Sequence, residues 1–181
     1  MPLKDLLCGF KGRIRRRDWW LWSIGLAVAY YALSDATAVA LGLDDYVMSR
    51  GGRLPVLGDP PAALAHSLVL NALFLWPALA LAIKRAHDGA RAAWPFVILI
   101  VVTSALNYWP VDSYAAPGRD LDAGGLATGA PMIVGAVSLL AGLYQLVVLG
   151  FLDGTRGPNR FGRSPKGVGG DMPDQTAKVF S

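Results

Sequence analysis

The chain has no glutamate, one cysteine, two histidines and few charges for its length. The single thiol, Cys8, excludes an intrachain disulfide and a metal cage built on thiolates. His66 and His87 fall short of the three protein ligands a catalytic metal ordinarily takes, and no Gly-x-Ser-x-Gly elbow is present to carry a serine nucleophile. All 13 acidic residues are aspartates, a bias for which we have no functional account. These absences argue for a non-enzymatic protein with no metal or cofactor. Charged residues make up 17% of the 181 positions, against about a quarter in a soluble domain, while 54% are hydrophobic and mean hydropathy is +0.40. Such a chain belongs in a membrane.

Four apolar runs are present, at 19–43, 62–83, 94–108 and 131–152. The first exceeds the roughly 7 to 15 residues of a signal-peptide core and suits an uncleaved helix of the roughly 20 residues needed to span. The second holds Pro77, where a kink is expected. The third is short, but Pro95 fits a first helical turn and the helix is expected to begin near Ala90. Gly, Pro and Asp fill 44–61 and 109–130, which read as loops. The expected fold is all-α: an integral membrane four-helix bundle with a basic arm at 1–18, four spans within 19–152 and a tail at 153–181, disordered after 165. Placing both termini and the segment 84–93 on one side gathers 14 of the 17 Lys and Arg there, so the positive-inside rule makes the N and C termini cytoplasmic. Trp19, Trp20 and Trp22 then lie at the inner boundary, and Tyr108 and Trp109 at the outer one, as an aromatic belt.

The hinge Lys84-Arg85-Ala86-His87-Asp88 separates the second and third runs and organises the rest. With the N-terminal Phe10-Lys11-Gly12-Arg13-Ile14-Arg15-Arg16-Arg17-Asp18-Trp19-Trp20 and the tail segment Gly157-Pro158-Asn159-Arg160-Phe161-Gly162, it resembles the domain of unknown function 805 family, the YhaH-like small inner-membrane proteins. The resemblance covers roughly residues 10 to 165. The family's hinge is of the type Arg-Arg-Leu-His-Asp-Thr-Gly-Arg-Ser-Gly-Trp-Trp, onto which Arg85, His87, Asp88, Arg91 and Trp94 map. Lys84, Ala86, Gly89, Ala90, Ala92, Ala93 and Pro95 depart from it, so the hydroxyls of that pattern are missing here. The resemblance implies a multi-pass protein of a bacterial-type inner membrane, with no established reaction.

Two sets of residues are candidates. Arg13, Arg16, Arg85, His87, Arg91, Asn159 and Arg160 are expected to converge on a cytoplasmic patch binding the phosphate of an anionic phospholipid, since guanidinium forks grip phosphate oxygens and each basic residue near such a surface contributes about 1 kcal/mol. The competing reading is that these residues serve the fold, with Asp88 orienting an Arg and other Arg side chains satisfying helix C-terminal carbonyls. Within the membrane, Asp35, His66, Asn71, Asn107 and Gln145 are the polar residues to explain. Asp35 and His66 fall at similar depth, and read either as a proton relay or as interhelical glue. The favoured function is a membrane interaction or scaffold protein whose partners are the lipid bilayer and anionic phospholipids, with another membrane protein or a homo-oligomer as further partners and no nucleic acid. A small transporter or ion-coupled channel using Asp35 and His66 is the alternative, and a membrane enzyme the most distant one.

Overall fold

The computed structural model describes residues 2–43, 59–106, 108 and 129–165. The described residues are helical or irregular, with no strand beyond an isolated bridge between Asn159 and Gly162. The helices are α1 (Leu3–Leu7), α2 (Arg16–Ala40), α3 (Pro61–Asp88), α4 (Trp94–Leu106) and α5 (Gly129–Gln145). α5 runs directly into a wider π-helical stretch, Leu146–Phe151. α2 has 25 residues and α3 has 28, and both are long and apolar enough to cross a membrane. At 1.5 Å per residue they measure about 37 and 42 Å against a hydrocarbon core of about 30 Å. α4, at 13 residues, is a shorter apolar helix.

Two expectations change. Lys84 to Asp88 do not form a gap between helices but complete the last turn of α3, because nothing in Lys-Arg-Ala-His-Asp breaks a helix and the break waits for Gly89. α4 starts at Trp94 and not near Ala90, whose φ of 56° is left-handed and ends the preceding helix. Within the arm, the first residues form α1, which packs against α3. Pro77 lies inside α3 without ending it, and Pro61 occupies its first turn, where a missing N–H costs nothing. The tail beyond 165, expected to be disordered, lies outside the described residues.

α2 packs on α3, α3 on α4 and α4 on α5, while the π stretch returns to α2 and α3. Two buried apolar clusters sit at one end of this arrangement, while Ala38, Ala63 and Leu70 are buried toward the other. Ala82 and Ala86 of α3, Phe96 of α4 and Leu149 of the π stretch form one cluster, and Leu6, Ile14 and Leu81 form another. Trp19 packs against both, so it is a core residue more than an interfacial anchor. Further along, large apolar side chains such as Leu21, Val28 and Val69 are exposed. A Cβ at Gly25 or at Gly142 would meet open space, so neither glycine marks a close helix approach.

Candidate functional site

The charged residues gather at the packed end. α3 stops in a Schellman arrangement: Arg91 N–H donates to the Ala86 carbonyl at 3.0 Å and Ala90 N–H to the His87 carbonyl at 3.0 Å, with Ala90 in the left-handed position glycine usually takes. This stop fixes the last turn, and three and four residues apart on one face it places Arg85, Asp88 and Lys84. All three are buried, Lys84 completely.

Asp88 is the centre. Its Oδ1 accepts from Arg13 Nε at 3.1 Å and Nη2 at 2.9 Å, and its Oδ2 accepts from Arg85 Nη1. Both ion pairs are closed to solvent, with side-chain exposures of 1 to 3%. Arg13 arrives from the arm just after Gly12, whose φ of 95° turns the chain inward. Its remaining N–H groups reach the tail: Nη1 donates to the carbonyls of Gly157 at 2.8 Å and Gly162 at 3.3 Å, and Nη2 to the carbonyl of Thr155 at 2.8 Å. The Asp88 backbone carbonyl accepts from Thr155 N–H at 2.8 Å. One aspartate thus ties together the arm, the end of α3 and the tail.

A second set of contacts closes the far end of the π stretch. Helix ends leave carbonyls without partners, and a π widening disrupts the ordinary ladder. Here the last carbonyls find side-chain donors: Arg85 Nε reaches Leu149 O at 2.7 Å, Trp20 Nε1 reaches Gly150 O at 3.0 Å, Arg16 Nη1 reaches Phe151 O at 3.0 Å, and Arg85 Nη2 reaches Leu152 O. Cations at a helix C-terminus also meet the favourable end of its dipole. Lys84 does the same for α1, donating from Nζ to the carbonyls of Asp5 and of Leu6, the latter at 2.6 Å.

The tail docks on α3 through His87 and Asn159. Asn159 Nδ2 donates to the His87 carbonyl at 2.9 Å, and Asn159 and Gly162 exchange backbone bonds in a tight turn where Gly162 has a φ of 133°. This presents Phe161 to the His87 ring, stacked at 3.9 Å and 10°, with the Arg160 guanidinium 4.7 Å from the Phe161 ring. These groups lie past the apolar run 62–83. Burial pushes the Lys84 ammonium and the Arg85 guanidinium down, opposed by Asp5 and Asp88 respectively. Burial likewise lowers His87 from its ordinary value, opposed by a backbone hydrogen bond to Gly12 and aided by Arg160.

The arrangement corrects the expected anion patch. Arg13, Arg85 and Asn159 do converge, but on Asp88 and backbone carbonyls, and every nitrogen of both buried guanidiniums has a partner inside the protein. Asp88 is the acceptor around which they assemble, more than an orienting group. Arg16 is half exposed, and Arg91 and Arg160 are exposed. Gly154, which the sequence reading passed over, is indispensable to this packing: a Cβ there would overlap the Asp88 carboxylate. Gly154→Ala is expected to cost about 1–3 kcal/mol as an overpacked site, read as a lower melting temperature of the detergent-solubilised protein. An unchanged melting temperature would mean the tail is not seated on Asp88.

Asp35 and His66 are not partners. Asp35 is on an exposed face of α2, while His66 Nε2 lies 2.7 Å from Thr37 Oγ1. Two residues apart, Asp35 and Thr37 point to nearly opposite sides of the helix, so satisfying His66 with one excludes the other. Asn71 is half-buried near Tyr108, whose hydroxyl donates to the Ser67 carbonyl at 3.0 Å. Gln145 lines a mainly apolar crevice, and Asn107 lies outside the described residues. No trio of His, Cys or acidic side chains able to hold a metal occurs among the described residues.

Residues 7–163 match a family described as protein of unknown function (DUF805), a span that contains every clasp residue from Arg13 to Gly162. The uncharacterized protein YiiR of Escherichia coli strain K12 is 30% identical over 169 residues, 93% of each chain. The YiiR protein of Escherichia coli O157:H7 is similar to the same extent. No solved structure matches.

Proposed function

The chain belongs to the DUF805 family of proteins of unknown function, and from that premise we propose that it is a non-enzymatic, multi-pass inner-membrane protein whose cytoplasmic face engages anionic phospholipid headgroups or an acidic membrane partner. In this reading the long helices form a four-span bundle with both termini cytoplasmic. The exposed apolar side chains of α2 and α3 support burial in lipid, and the sequence's gathering of 14 of its 17 Lys and Arg in the arm, the 84–93 segment and the tail supports its orientation.

The observation that carries the reading is the division of labour among the cations. Lys84, Arg85 and Arg13 are buried and paired, which fastens three distant segments into one surface. Lys11, Arg17, Arg91, Arg156 and Arg160 stay exposed on those same segments. Anionic headgroups attract such residues by about 1 kcal/mol each. Asp35 facing outward takes away the pair on which a proton-coupled transporter was built.

The test is native mass spectrometry of protein released from membranes of mixed phosphatidylglycerol and phosphatidylethanolamine. The wild type should retain phosphatidylglycerol in excess of its share, and a variant with Lys11, Arg17, Arg91 and Arg160 all changed to Gln should lose that excess. Equal enrichment in the two proteins would overturn the reading.

A further inference from the structure

Beyond the clasp α2, α3 and α5 leave a gap between them. α2 meets the end of α5 at the π stretch, where a Cβ on Gly150 would lie 2.9 Å from Trp20 and 3.1 Å from Trp19. Past that contact a crevice of about 440 Å³ opens, walled by Trp19, Leu26 and Tyr30 of α2, Phe74 and Leu81 of α3, and Gly142 of α5. Its size falls within the roughly 300–1,000 Å³ of ligand pockets. Ser23 and Gln145 supply polar side chains on an otherwise largely apolar lining.

Two features select an occupant. The crevice follows α2 from Trp19 to Tyr30, roughly 16 Å of helix, which is about the depth of one leaflet of a 30 Å hydrocarbon core. Arg16 stands on the same helical face, three residues before Trp19 and seven before Ser23, at the crevice's charged end. One of its nitrogens donates to Phe151 O and lies 3.5 Å from the Asp153 carboxylate, yet 49% of the side chain remains exposed. Ser23 lies roughly 10 Å above Arg16 along the helix, so a lipid whose phosphate is at Arg16 carries an acyl chain past Ser23 and Gln145.

We propose that this crevice holds one acyl chain of an anionic phospholipid from the same leaflet, with the phosphate at Arg16. The proposal rests on the membrane reading above and narrows it from a charged face to a single lipid site. A second copy of the chain is the competing occupant, but it would have to place a charge against Arg16 and an apolar stalk of one leaflet's length behind it, which a phospholipid does by its own covalent structure.

Photocrosslinking of the full-length protein in bilayers tests this, using phosphatidylglycerol with a diazirine on one acyl chain and phosphatidylcholine carrying the same chain as control. Crosslinks from the phosphatidylglycerol probe should concentrate at Ser23, Leu26 and Gln145 over Leu21 and Val147, which lie at similar depth on outward faces. The phosphatidylcholine probe should show no such concentration. Gly142→Leu, which adds bulk to open space, and separately Ala27→Leu should abolish the crevice crosslinks while the melting temperature holds. Even spread over inward and outward positions, equal patterns for the two probes, or links joining two protein copies at Ser23 and Gln145 would overturn the lipid site. The charge-patch variant keeps Arg16, so loss of headgroup enrichment there with crevice crosslinks intact, or the reverse, tells which of the two readings has failed.

Discussion

Asp88→Asn is expected to be the most damaging single substitution in the protein, lowering stability by about 3–5 kcal/mol, as when one partner of a buried ion pair is removed. The replacement keeps size and shape, so the loss is electrostatic. An amide offers one oxygen where the carboxylate offered two, and its NH₂ group must face either Arg13 or Arg85, each already a donor. Two buried guanidiniums would then share one neutral acceptor. The tail should come away first, because Thr155 and Gly157 are held by the same Arg13 that Asp88 orients. Limited trypsin digestion should therefore cut after Arg156 and Arg160 in the variant under conditions that leave those two bonds intact in the wild type, and the melting temperature should fall. A variant with wild-type melting and an uncut tail would show that the clasp contributes nothing.

Arg13→Lys is expected to be nearly as costly although it preserves charge. Arg13 presents Nε and Nη2 side by side to one carboxylate oxygen while Nη1 and Nη2 reach carbonyls of the tail, a planar fork that a single ammonium with three donors does not reproduce. At least two buried acceptors would be left without a donor, at about 1–3 kcal/mol each. Melting of the purified variant measures the loss, and Arg17→Lys, at a side chain that is 79% exposed, is the control that should be silent. If both substitutions are silent, Arg13 acts only as a charge and the fork has no role. The orientation of the protein should be unchanged in both, since that rule counts Lys and Arg alike.

The contrast between Arg13 and Arg17 shows where the sequence stops being informative. Both belong to one basic run of the arm, and the positive-inside rule treats them identically. One is 7% exposed and the other carries its charge in solvent, because Gly12 turns the chain so that only Arg13 points at α3. Asp88 was visible as an acid beside two bases, but its partner Arg13 is 75 positions away and no spacing rule joins them. The π stretch was equally hidden, since its residues read as an ordinary apolar run. What keeps it there is external: Arg85, Trp20 and Arg16 accept the task of satisfying its carbonyls. His66 found Thr37 where depth alone had suggested Asp35, because depth along a helix says nothing of which face a side chain occupies.

Composition and periodicity by themselves determined that this chain is helical and apolar enough for a membrane, approximately where its long helices lie, and that its cations collect toward one end. These are sums and spacings over neighbouring residues, which a sequence states directly. Only the tertiary structure decided which cations are buried and which face outward, that Asp88 gathers the arm, α3 and the tail, and that Gly154 must be bare beside it. A buried charge takes whichever partner the packing brings within about 3 Å, and for Arg13 that means groups 75 to 149 residues away, where no local pattern records the choice.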